Sequence, residues 1–153
     1  MKPLIALLGL TLCAATPGEI VAPASKCDFG GRTGVQAHLG KLDKSTVITN
    51  WVKAVDVPFW SVEVPRIGRY SVEVIYAASQ ASAGVRYTVT LQGYSTGMTK
   101  GVVEATKRGK LQLFQIGDME LEPGRHRLFV QPENKAGQPA MMLEQVRLRW
   151  IGN

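Results

Sequence analysis

Apolar and polar side chains alternate with a period of two along much of this chain. Trp60, Val62 and Val64 alternate with Ser61 and Glu63, and Tyr70, Val72, Val74 and Tyr76 alternate with Ser71 and Glu73. The same rhythm returns in Val85, Tyr87, Val89 and Leu91 against Arg86, Thr88 and Thr90, and in Val146, Leu148 and Trp150 against Gln145, Arg147 and Arg149. Successive side chains of a strand leave opposite faces, so each run predicts a strand with one face in a core and the other in water. Between the runs, "VPRIGRY" and "LEPGRHR" each supply a proline that presets φ and a glycine that accepts a positive one. No segment longer than two turns carries a 3.6-residue period. Nine or ten short strands with tight turns predict an all-β fold, a β-sandwich or jelly roll.

The N-terminus breaks this rhythm. "MKPLIALLGLTLCAATPGE" places Lys2 ahead of an apolar run from Leu4 to Leu12 and small residues at Ala14 and Ala15, the layout of a secretory signal peptide over residues 1–15. The run is far shorter than the roughly 20 residues of a transmembrane helix. Export to a secreted or periplasmic location is therefore expected. Lipid anchoring at Cys13 is the less favoured reading, because bulky Leu12 precedes it. "TPGEIVAPASKCDFGG" (16–31) lacks any period and reads as a flexible leader, with the sandwich domain over 32–153. After cleavage Cys27 would be the sole cysteine, with no internal disulfide to form.

Composition adds bounds. The 153 residues are 45% apolar and 20% charged, enough to bury one core without staples. A net charge of +6 favours acidic partners, and loss of Lys2 from the 18 basic residues would leave 17 against 12 acidic ones. Basic residues recur at Lys100, Lys107, Arg108, Lys110, Arg125, Arg127, Arg147 and Arg149, and those that share a sheet face would form a positive strip. Aromatic residues are not interleaved among them as in single-strand nucleic-acid binders, so nucleic acid is not an expected partner.

No catalytic constellation stands out. "GYSTG" (Gly93–Gly97) matches the Gly-x-Ser-x-Gly pattern, and Asp118 and His126 follow Ser95 in hydrolase order. The flanks, however, read as strand, turn and strand, whereas a nucleophile elbow needs a helix after the serine. His38 and His126 lack metal-ligand spacing, and no Asp/Glu cluster marks a calcium loop. No cofactor is expected.

The stretch "ITNWVKAVDVPFWSVEVPRIGRYSVEVIYA" (48–77) carries a further signal in Asn50, Trp51, Asp56, Trp60, Pro65, Gly68, Tyr70, Tyr76 and Ala77. It resembles the galactose-binding-like jelly-roll domains appended to secreted α-L-fucosidases and sulfatases, and more distantly carbohydrate-binding modules of families 6 and 35. The similarity continues through "AGVRYTVTLQG", "FQIGDMELEPGRHRLFVQP" and "MMLEQVRLRW". It implies a non-catalytic sandwich that binds carbohydrate, with an anionic polysaccharide favoured by the basic charge, working beside a separate glycan-active enzyme. Three departures stand against it. Lys110 and Leu111 occupy the region where relatives carry a tryptophan. Gln36 and His38 stand near where a glutamate helps hold structural calcium, and "GQPAMML" lacks a sugar-contacting asparagine.

Among the aromatics, Trp60 is in phase with Val62 and Val64 and belongs to the core. Trp51 follows "TVITN" at a strand end, where core and loop placements are both open. Asp56 in "KAVDVP" suits pinning a turn through backbone amides, with ligand contact second. The expected ligand-binding residues are Asn50, Trp51, Asp56 and Tyr94. A protein-interaction or structural module of the envelope is the alternative from a different class.

Overall fold

The computed structural model describes residues 18–93 and 96–153. The signal-peptide segment, Cys13, Tyr94 and Ser95 lie outside the described residues. Among the described residues ten strands follow one another: β1 (Glu19–Pro23), β2 (His38–Leu42), β3 (Ser45–Thr49), β4 (Phe59–Val64), β5 (Gly68–Ala77), β6 (Arg86–Gln92), β7 (Thr96–Val102), β8 (Gln112–Leu121), β9 (Gly124–Pro132) and β10 (Met142–Gly152). The predicted alternating runs fall on β4, β5, β6 and β10, and β6 pairs antiparallel with β7, from Arg86 opposite Val102 to Gln92 opposite Thr96.

The strands form two antiparallel sheets. One runs β2-β3-β10-β5-β8 and the other β4-β9-β6-β7. Along one side of β10, Leu143 meets Ile48 of β3, and Gln145 to Arg149 then pair with β1. This two-layer arrangement is the jelly-roll sandwich that the period-two pattern requires.

Between the sheets lie Trp60, Val62 and Val64 of β4, Leu128 and Val130 of β9, and Tyr87, Val89 and Leu91 of β6. They face Tyr70, Val72, Val74 and Tyr76 of β5 with Val146 and Leu148 of β10. Burying each large apolar side chain contributes about 1.5–3 kcal/mol. Tyr76 stacks on Phe114 at 4.5 Å and meets Tyr87 edge-on at 6.3 Å. One end of the core is closed by Trp150, whose indole N–H donates to Ile67 O at 3.1 Å while Arg66 lies 3.5 Å over its ring. Gly68, with φ +146, is required there, because a Cβ would overlap Trp150 Nε1 and the Gly152 carbonyl.

The leader assigned to 16–31 needs correction. Its described part forms β1, which pairs with β10 over five residues, and buries Ile20, Ala22 and Ala24. Trp60 Nε1 donates to Pro23 O at 2.7 Å, and Asp28 and Phe59 exchange backbone bonds of 2.9 Å. The domain therefore begins well before residue 32. Its Pro and Ala content imitates a linker, but a five-residue strand paired on one side tolerates a proline at its end. Cys27 is half-buried beyond β1, and burial, followed by the neighbouring Asp28, raises its thiol pKa from 9.0 to about 11. Among the described residues no helix is long and apolar enough to cross a membrane.

Candidate functional site

At the end of the sandwich where β3 stops, two adjacent residues part company. Asn50 is exposed in a left-handed conformation (φ +53), which asparagine tolerates better than most residues, and its amide donates to Gln36 O at 3.3 Å. Trp51 turns inward and is 1% exposed; its indole N–H donates to Asp56 O at 2.7 Å. Its carbonyl accepts from Ala140 N at 2.8 Å, tying the loop before β10 to this corner. Trp51 thus forms the floor of the site and offers no open ring for stacking.

Above that floor lies a groove of about 250 Å³, walled by Thr49, Asn50, Ala77, Ala78, Ser79, Gly109, Pro139, Met141 and Met142. Gly109 belongs to the loop that carries Lys107, Arg108 and Lys110, all exposed. Thr106 anchors this loop: its hydroxyl bonds with Ala78 N and O at 3.1 and 3.3 Å. The groove therefore sets half-buried Met142 and one side-chain amide, over buried Trp51 and Met141, beside a loop that carries basic residues.

Asp56 is also 1% exposed. Its Oδ2 accepts from Gln36 N at 3.0 Å and Ala37 N at 3.1 Å, holding the segment before β2 against the β3–β4 link. Tyr94 lies outside the described residues, as does Ser95 of the hydrolase-like motif. His126 is buried in phase with Leu128 and Val130, whereas Asp118 is exposed on the far side of β8, so they do not form an Asp–His pair. No group of three or more His, Cys, Asp and Glu gathers as a metal site among the described residues.

The recurring basic residues divide three ways. Lys107, Arg108 and Lys110 are exposed on the loop whose Gly109 lines the loop-end groove. Arg147 and Arg149 lie on the outward face of the larger sheet, where both engage the buried carboxylate of Glu73, Arg147 at 2.9 Å; Glu19 of β1 adds a contact to Arg147 at 3.7 Å. Lys100, Arg125 and Arg127 lie on the outward face of the smaller sheet with Phe59 and Phe129. The sequence reading missed those two phenylalanines. The available signal was an aromatic in the polar phase of β9, between Arg127 and Gln131. A further groove of about 490 Å³ lies at the opposite end, but its Arg69 and Glu120 face each other at 3.9 Å.

Compared with known proteins, the sequence matches no family model and no curated protein. The fold does have counterparts among solved structures. The GH26-CBM35 β-(1,4)-mannanase of Podospora anserina is 16% identical at a TM-score of 0.62; the match covers 90% of this chain and 29% of the mannanase. A family 35 carbohydrate-binding module from Clostridium thermocellum is 15% identical at 0.61, over 88% of this chain and 98% of the module. The carbohydrate-binding module of Cellvibrio mixtus lichenase 5A, solved with cellotriose, is 16% identical at 0.57, over 86% and 96%. The fold of this chain is that of the galactose-binding-like jelly rolls to which family 35 and family 6 carbohydrate-binding modules belong.

Proposed function

We propose that this protein is an exported, non-catalytic carbohydrate-binding domain whose loop-end groove takes an acidic glycan and which works beside a separate glycan-active enzyme. The observation that carries the reading is the placement of exposed Asn50 on a groove bordered by the loop of Lys107, Arg108 and Lys110. Half-buried Met142 presents an apolar surface to the C–H face of a sugar ring, Asn50 exchanges hydrogen bonds with hydroxyls, and the basic loop attracts a carboxylate or sulfate. Fold alone does not assign a ligand, but nearly full-length matches to two carbohydrate-binding modules support a carbohydrate, and its acidic character rests on the basic loop.

The test is a glycan array that includes short uronic and sulfated oligosaccharides, probed with the native chain and Asn50→Gly. Glycine keeps the left-handed backbone and removes the amide, whereas Trp51→Ala would empty the core and confound the result. Binding by the native chain that falls in Asn50→Gly supports the groove. Absence of any glycan binding sinks it and favours the protein-interaction class.

A further inference from the structure

We propose that the outward face of the larger sheet docks a second copy of this chain, face to face about a twofold axis that runs along β5. Strand register fixes what this face presents. Toward the loop end, Ile75 of β5 stands between Leu113 of β8 and Gln145 of β10. The next row reads Gln115, Glu73, Arg147 and Val21, and the one after it Asp118, Ser71, Arg149 and Glu19. Arg69 and Glu120 close the far end. Apolar groups stand open on this face: Leu113 is 46% exposed and Val21 41%, and Ile75 is half-buried.

Charge sets this face apart from the rest of the molecule. The chain has 18 basic residues against 12 acidic ones, yet these rows hold Arg69, Arg147 and Arg149 against Glu19, Glu73, Glu120 and Asp118. Six of the seven pair with one another: Arg147 with Glu73 and Glu19, Arg149 with Glu73, and Arg69 with Glu120. Two copies of a chain with net charge +6 repel where basic surface meets basic surface, and on this face that cost is small.

The seventh charge selects the symmetry. Asp118 is exposed and has no ion-pair partner among the described residues. It shares a row with Ser71 and Arg149, so aspartate and arginine lie one strand to either side of β5. A twofold axis along β5 exchanges those two positions. Each Asp118 then meets Arg149 of the second copy, whose side chain is 54% exposed, and the contact is made twice. The same axis sets Ile75 on Ile75 of the second copy, with Leu113 beside it. The overlapping strands β8, β5 and β10 cover about 14 Å by about 30 Å, roughly 400 Å² in outline, which suits a weak, reversible dimer. A sugar finds no aromatic ring and no unpaired cation in these rows. Because the axis follows the strands, both loop ends point the same way, whatever they bind.

The experiment is sedimentation equilibrium of the full chain from about 1 μM to about 1 mM. Compared with the native chain are Asp118→Lys and Leu113→Asp on this face, each with its thermal midpoint checked. Met98→Lys and Met98→Asp place the same charges on the smaller sheet, at a residue 57% exposed. The native chain is expected to dimerise with a Kd of about 10–100 μM. Asp118→Lys and Leu113→Asp should each weaken the dimer at least about tenfold, while the Met98 variants stay within about twofold of native. If Asp118→Lys disturbs the fold, Leu113→Asp still carries the test. A native chain that stays monomeric throughout overturns the proposal. So does a dimer that survives both variants of this face, or one that the Met98 variants break. The loop-end reading fails separately, through short-oligosaccharide binding that survives Asn50→Gly.

Discussion

The two outward faces of this sandwich use the same residue types to opposite effect. On the larger sheet, Arg147 and Arg149 close over Glu73, which is 2% exposed, and Glu19 carries the network onto β1. Ser71 beside it accepts a bond of 2.8 Å from Gln115. Those charges are consumed within the fold. On the smaller sheet, Arg127 leans on a ring and Lys100 stands without an acidic partner among the described residues. A count of basic residues cannot separate these cases, because what distinguishes a structural cation from an available one is the carboxylate across the strand.

Reversing the central charge of the paired face should have the largest effect. Glu73→Lys would set a buried ammonium between two guanidiniums, and we expect a loss of about 4 kcal/mol or failure to fold, read by urea denaturation. The milder Glu73→Gln keeps the side-chain shape and should cost about 2 kcal/mol. It should also release Arg147 and Arg149, so that heparin binding rises above native; an unchanged affinity would show that pairing is not what silences this face. Ionic strength separates exposed charges from paired ones next. Raising salt from about 50 to about 200 mM should weaken acidic-glycan binding about tenfold but move the unfolding midpoint little, since exposed charges are screened more than buried ones. The smallest effect belongs to Lys100→Gln, whose unfolding free energy, read by the same urea denaturation, should stay within about 0.5 kcal/mol of native.

Much of the fold was legible in the alternation. β4, β5, β6 and β10 each keep one face buried for most of their length, so the period-two signal is clean there, and Trp60 follows from its phase with Val62. β8 carries no such clean run, because an irregularity opposite Val72 and Glu73 shifts its register and breaks the alternation. β1 was read as a linker because five residues bracketed by glycine and proline show no period of their own; its order comes from pairing with β10, more than a hundred residues away. Trp51 stood at the point where β3 ends, and beyond a strand end the phase argument has no purchase. Lys100 and Arg127 were visible as basic residues, but that they share one sheet face depends on β9 lying between β4 and β6, a pairing order that no local pattern encodes.

The most direct measurement is a nuclear magnetic resonance titration of the full chain with a short oligogalacturonate, following backbone amide shifts. The account predicts shifts around Asn50 and Gly109 at the loop end, with Ser71, Glu73 and Arg147 of the paired face unmoved. Shifts confined to the paired face, or none at all at saturating oligosaccharide, would contradict it.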